Sequence, residues 1–162
     1  PWEPAAARAA SALAATALVD ARRTVVLDGS NIAHAHSRDG YFSADGLRIA
    51  CEYWMKRGHL VIAVVPAARM FHAEGHSQPH TGLETLAQLR RDGIVHIAPA
   101  RDNDDLYVLH AARREVGSTI CSNDRFKREL ACMDVASRKV FEPIVRKAVG
   151  FRFEGDEFCV IR

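Results

Sequence analysis

The chain has 162 residues, 48% of them hydrophobic and 26% charged, with a formal net charge of +2. That composition supports one ordinary globular domain with a full core and excludes a compositionally disordered chain. Four cysteines without C-x-x-C spacing argue for reduced thiols rather than a disulfide or zinc framework, and no apolar run of about 18 residues marks a membrane span.

The alanine-rich stretch Ala5 to Leu18, interrupted by Arg8 and leading into Asp20, reads as a surface helix rather than a targeting peptide. Residues 1–22 are therefore expected to form a helical extension ahead of a domain over 23–162. With no initiator Met, the whole reads as a piece of a longer chain. Thr24 to Leu27 is a first buried strand. Leu47, Ala50, Cys51 and Trp54 then repeat at helical spacing after Phe42–Gly46, and Arg57-Gly58 closes that helix. Leu60 to Val65 is a second strand, ended by Pro66. A helix carrying Leu83, Leu86, Ala87 and Leu89 stops near Asp92-Gly93. Ile94 to Ala98 is a third strand, Asp104 to Glu115 a helix, and Ser118 to Cys121 a fourth strand. A further helix is expected over Asn123 to Ala131, then a mixed helical stretch around Pro143. Phe151–Phe153 and Phe158–Ile161 flank Gly155-Asp156 as a hairpin. Alternating strands and helices predict an α/β domain in three layers around a central, mainly parallel sheet.

In such a sheet the C-terminal ends of the strands share one edge, where ligands bind. Asp28 follows the first strand, Asp104 and Asp105 follow the third, and Asp124 follows the fourth. Singly, each reads as readily as a turn or helix cap. Together they predict four carboxylates converging from distant parts of the sequence. Gathered like charges need a cation, and an all-oxygen set suits Mg²⁺ or Mn²⁺. Asn31, Ser122 and Asn123 are the polar neighbours. Arg69, Arg101, Arg125, Lys127 and Arg128 lie on or near the same edge and form a candidate rim for a polyanion. No G-x-x-x-x-G-K loop, G-x-G-x-x-G turn or Asp-x-Asp motif occurs, so nucleotide-loop, dinucleotide and dehalogenase-like phosphatase readings lack their signatures. His72, His76 and His80 are spaced by four, but Gly75 and Pro79 break any helix there, and a polar loop is expected. His34 and His36 follow soon after Asp28, within reach of the site, and read as solvated loop histidines rather than general bases.

The ordered set Val-Leu-Asp28-Gly-Ser-Asn31, Lys56-Arg57-Gly58-His59, Val65-Pro66-Ala67, Asp104-Asp105 and Ser122-Asn123-Asp124 resembles the NYN ribonuclease domain of the Regnase (MCPIP) type. These are PIN-like nucleases found beside CCCH zinc fingers, and the likeness runs from about residue 23 to the hairpin. It implies a metal-dependent endoribonuclease that cuts single-stranded or stem-loop RNA by metal-activated water. It also implies that Asp28, Asp104, Asp105 and Asp124 are the catalytic, metal-holding carboxylates. One departure stands out: a further aspartate, one helical turn after Ser-Asn-Asp, is Arg128 here. The nearest acid, Glu129, would point away from Asp124 on a continuous helix. That departure motivates an alternative, a catalytically weakened PIN-like module that binds RNA or a protein partner. A DNA nuclease of related fold is separated from these only by family precedent. The expected setting is intracellular, with the cytoplasm favoured and no membrane partner. The oligomeric state is left open, a homodimer included.

Overall fold

The structure is a computed structural model that describes residues 23–37, 39–70, 80–99 and 103–161. The predicted extension over 1–22, together with His72, His76 and Arg101, lies outside them.

Strand β1 (Thr24–Asp28) is buried along its whole length and occupies the middle of the molecule. It pairs in parallel with β3 (Leu60–Pro66) on one side and β6 (Thr119–Cys121) on the other, and β3 pairs with β5 (Val95–Ala98). The four-stranded order is β5-β3-β1-β6. The chain thus builds outward from β1 in one direction and returns to place β6 on its other side. The strand order reverses between β1 and β6, and such a switch point opens a crevice at the carboxyl ends.

Successive side chains of a strand point to opposite faces, so each face recruits its own layer. Val25, Leu27, Ala63, Val65 and Cys121 pack with Ile32 and Ala33 of α1 (Gly29–His36) and with Leu47, Ala50 and Cys51 of α2 (Ala44–Met55). Leu86 and Leu89 of α4 (Leu83–Arg91) extend that layer, following the short α3 (Ala67–Met70). Val26, Val64 and Ile120 face the other way, against Val108, Leu109 and Ala112 of α5 (Asp104–Arg114), Phe126 and Phe141. Phe126 precedes α6 (Lys127–Cys132), and Phe141 lies on α7 (Val135–Arg146). The predicted three-layer α/β arrangement is therefore the fold. The expected hairpin is present as β7 (Gly150–Glu154) and β8 (Glu157–Ile161), its Phe151 and Phe158 stacked with ring centroids 5.4 Å apart. A short parallel pair, β2 (Phe42–Ser43) with β4 (His80–Thr81), closes the α1 side. Among the described residues no helix is long and apolar enough to cross a membrane.

Two expectations need correction. The segment after Asp28 is a full helix, α1, so His34 and His36 are helical rather than loop residues. The helix expected over Asn123 to Ala131 starts only at Lys127, because Asp124 Oδ1 accepts from the Phe126 amide and Phe126 turns left-handed at φ 51°. The helical stretch expected around Pro143 is present as α7, with Pro143 exposed within it. Gly29 is set by close packing. An added Cβ there would lie 2.4 Å from the Val64 carbonyl oxygen and 2.8 Å from Val65 Cγ2. The first turn of α1 touches the β3 backbone, and only a hydrogen fits. Gly29→Ala should cost about 1–3 kcal/mol of stability through this overpacking, read as a lower denaturant midpoint. An unchanged midpoint would mean that α1 can lift from β3 freely.

Candidate active site

Asp28 ends β1 at the switch point and is only 4% exposed. Its Oδ1 accepts from the Asn31 amide at 3.1 Å, which makes it the N-cap of α1. Its Oδ2 accepts from Ser122 Oγ at 2.7 Å, across the gap between β1 and β6. The cap reading and the site reading are therefore both true of one carboxylate. Ser122 Oγ in turn accepts from the Asp124 amide at 3.0 Å. Asn31 Oδ1 accepts from the Asn123 amide at 2.9 Å. The Asn123 side chain then bonds Phe151 as a neighbouring strand would, Oδ1 accepting from its N–H at 2.9 Å and Nδ2 donating to its carbonyl at 3.0 Å. The three predicted polar neighbours thus tie β1, the β6–α6 loop and the hairpin together.

Asp104 and Asp105 occupy the first turn of α5, where the helix dipole favours negative charge. Neither caps the helix: Asn103 does so, its Oδ1 accepting from the Asp105 amide at 3.0 Å. Ser30 Oγ donates to Asp104 Oδ2 at 3.1 Å, joining the first turns of α1 and α5. Asp28, Asp105 and Asp124 line one open cavity of about 490 Å³ with Ser30, Asn31, His34 and Ala35. Three of the four predicted carboxylates thus share one cavity, and Asp104 joins its edge through Ser30.

Their electrostatics carry the imprint of crowding. Burial pushes the Asp28 carboxyl up to about 6, with the charges of Asp104 and Asp124 adding to the rise and the Ser122 and Asn31 hydrogen bonds opposing it. Burial and then the charges of Asp28, Asp104, Glu129 and Asp124 push Asp105 up to about 7. Glu129 is the site residue that sequence reasoning missed. It is buried, its Oε1 accepts from Asn103 Nδ2 at 3.1 Å, and its charge reaches Asp105. The expectation that it points away assumed one helix from Asn123, and the turn at Phe126 removes that assumption. A signal existed: Phe126, Glu129 and Leu130 share a helical face that is otherwise apolar.

The basic rim is only partly assembled. Arg125 lines a second cavity, of about 410 Å³, on the far side of Asp124 with Ser122, Asn123, Val145, Ala148, Gly150 and Ile161. Lys127 and Arg128 are exposed at the start of α6, line neither cavity, and make no ion pair among the described residues. Arg69 meets His34 at the cavity's edge. His36 serves the fold instead. Its Nδ1 lies 2.8 Å from Ser43 Oγ, its Nε2 lies 2.9 Å from Asp156 Oδ1, and Gly46 leaves it room.

The donor set tests whether a divalent cation fits. It is all oxygen, and its members raise one another's proton affinity, which a cation would reverse. Among the described residues no three His, Cys, Asp or Glu side chains form a ready-made cage. A hard ion would accordingly be held by one or two carboxylates plus water, the arrangement that suits Mg²⁺. Asp28 and Asp105 are the candidates to hold it, with Asp124 lining the same cavity.

An open-edged parallel α/β sheet with acids at its switch point is the architecture of a PIN-like domain. A model of the Zc3h12a-like Ribonuclease NYN domain matches residues 21–162, and the chain belongs to that family. It is 34% identical over 145 residues to Endoribonuclease rege-1 of Caenorhabditis elegans, a match covering 84% of this chain and 22% of that protein. Among solved structures it resembles Arabidopsis thaliana nuclear protein-only RNase P 2, with a TM-score of 0.62 at 18% identity. That match covers 96% of this chain and 34% of the other, and a second structure of the same protein gives 0.62 at 17% identity, covering 90% and 32%. At such identities the likeness is one of fold.

The raised carboxyls make a pH prediction for the protein in EDTA. Their native pKa values, about 6 and about 7, exceed the ordinary 3.8, so native protein keeps protons that the unfolded chain has released. The associated stability is full below about pH 4 and is lost as pH rises through about 6 to 7. Asp28 alone accounts for about 3 kcal/mol. Asp105→Asn should therefore be more stabilising at pH 8 than at pH 5, and millimolar Mg²⁺ should raise the wild-type unfolding midpoint at pH 8. Equal effects at the two pH values, with no response to Mg²⁺, would show that the acids do not act on one another.

Proposed function

We propose that this domain is an endoribonuclease acting on single-stranded or loop RNA with a divalent cation, Mg²⁺ or Mn²⁺. The observation that carries the proposal is the buried Asp28, held by Ser122 across the switch point and sharing one open cavity with Asp105 and Asp124. A cation bound there would neutralise charge at the phosphodiester and lower the pKa of an attacking water. Asp28 supplies a fixed carboxylate, both of whose oxygens are oriented by hydrogen bonds. Asp105 and Asp124 face the same cavity from the other side. Glu129 holds Asn103, and through that cap it positions the first turn of α5. The openness of the edge suits a flexible strand whose phosphates can be threaded past the acids. Four free thiols support a reducing, intracellular setting.

The alternative of a weakened, binding-only module rested on Arg128 standing where the family has an acid. Glu129, one position further along, lies close enough for its charge to act on Asp105, which supports the nuclease reading.

Three assays test the proposal. Cleavage of single-stranded RNA, duplex RNA and DNA is compared in Mg²⁺, Mn²⁺ and EDTA. The expected result is metal-dependent cutting of single-stranded RNA, and cutting that survives EDTA would overturn the metal's role. Asp28→Asn should lower cleavage by at least ~100-fold while leaving fold and RNA binding largely intact, because it keeps shape and removes charge. Undiminished cleavage would leave Asp28 as a cap alone. Neutralising Arg125, Lys127 and Arg128 together should weaken RNA binding and flatten its salt dependence by ~0.7 per lost phosphate contact. An unchanged slope would put the RNA path elsewhere.

A further inference from the structure

His34 lies on α1 one turn beyond Asn31 and lines the acidic cavity, yet its ring is fully engaged. Its Nδ1 lies 2.8 Å from the Gly40 carbonyl oxygen, and its Nε2 lies 3.2 Å from a terminal nitrogen of Arg69. A carbonyl oxygen can only accept, so Nδ1 carries the proton. A guanidinium can only donate, so Nε2 offers its lone pair. The two neighbours together select one form of the ring, the neutral Nδ1–H tautomer. Held this way, His34 has no free nitrogen with which to move a proton for the reaction.

Arg69 is fixed from a second direction. Its guanidinium carbon stands 5.4 Å from the centroid of the buried Phe42 ring, and His34 meets the same ring edge-on at 5.8 Å. Arg69 belongs to α3, immediately after the end of β3, so it stands on the same sheet edge as the acids. Both of these partners are uncharged, and among the described residues Arg69 forms no ion pair. A guanidinium has five donors in a planar fork, and the bond to His34 uses one of them. The arrangement orders a long cationic side chain at the edge of a cavity lined by carboxylates.

We propose that His34 is a positioning residue that holds Arg69 at the rim of the acidic cavity as a phosphate-gripping arm. The ligand chemistry is the phosphodiester of a single strand, gripped through the remaining N–H groups of the fork. The inference rests on the reading of this cavity as an RNA-cleaving site and adds to it a part that no carboxylate can play. An acidic pocket repels a polyanion, and a cation fixed beside it draws one phosphate to the opening. Because the arm is pre-ordered by neutral partners, little side-chain entropy remains to be lost when the phosphate arrives.

The test is a double-mutant cycle on binding of a short oligouridylate at several salt concentrations, in the Asp28→Asn background. Arg69→Gln should lower affinity on the order of tenfold and flatten the single-strand salt slope by ~0.7. His34→Leu, which keeps bulk and removes the acceptor, should do the same although it removes no formal charge. The double variant should be no worse than Arg69→Gln alone, and His34→Gln, which restores an acceptor, should recover most of the loss. Long-range ¹H–¹⁵N spectra should show His34 as the Nδ1–H tautomer in the unliganded protein. An Nε2–H tautomer, a wild-type slope in His34→Leu, or fully additive losses in the double variant would overturn the proposal. Oligouridylate binding that is normal in Arg69→Gln would overturn the arm while leaving the RNA-cleaving reading intact. A protein that binds no RNA at all would overturn both.

Discussion

A carboxylate buried at the seam between two parallel strands is the constraint on which this molecule is arranged. Removing Asp28 from water is unfavourable unless its oxygens find donors. The Asn31 amide and the Ser122 hydroxyl supply them, from opposite sides of the switch point. Each of those donors is committed further: Ser122 to the Asp124 backbone, Asn31 to Asn123, and Asn123 to both polar atoms of Phe151. The geometry of one side chain is thereby shared among β1, α1, the β6–α6 loop and the hairpin. None of these bonds is strong alone, but each closes a gap between segments distant in the chain.

The local consistency of ordinary folds breaks down at this point. Hydrophobic alternation on β1, β3 and β6 places the layers without conflict. At the strand ends, by contrast, five acids lie close enough to raise the proton affinity of two of them. The fold tolerates the repulsion because apolar packing on both faces of the sheet supports it, with Val26, Val64 and Phe126 in the layer that α5 covers. Such strain is common where a site must be ready for a charged ligand.

Most of the architecture was legible because it is written in periodicities. Buried strands of β-branched residues and the i, i+3, i+4 spacing of Leu47, Ala50 and Cys51 each specify an element from local chemistry alone. The convergence of Asp28, Asp105 and Asp124 was legible for a related reason, since parallel topology collects strand ends on one edge. What escaped was decided by tertiary contacts. Phe126 in a left-handed conformation is a rare choice for a bulky residue, and it alone shifts the start of α6 and turns Glu129 inward. The two histidines of α1 were misjudged because their polarity suggests solvent. Their actual partners, Gly40, Ser43, Arg69 and Asp156, come from other segments that no local pattern reveals. The need for a glycine at position 29 is likewise tertiary, since the missing side chain makes room for the β3 backbone.

The bond between Ser122 and Asp28 spans 94 positions of sequence. On a ribosome, β1 is made early and must wait for its second neighbour until β6 has emerged, and Phe151, which anchors Asn123, comes later still. Before then the central strand has one bare edge, and the aspartate at its tip lacks its strongest donor. A chain interrupted between Asp105 and Ser122 therefore carries Asp28, Asp104 and Asp105 without the hydroxyl that holds Asp28. Within this domain the acidic cluster is completed only when β6 and the hairpin have been added, so an unfinished copy lacks the arrangement on which the proposed cleavage rests.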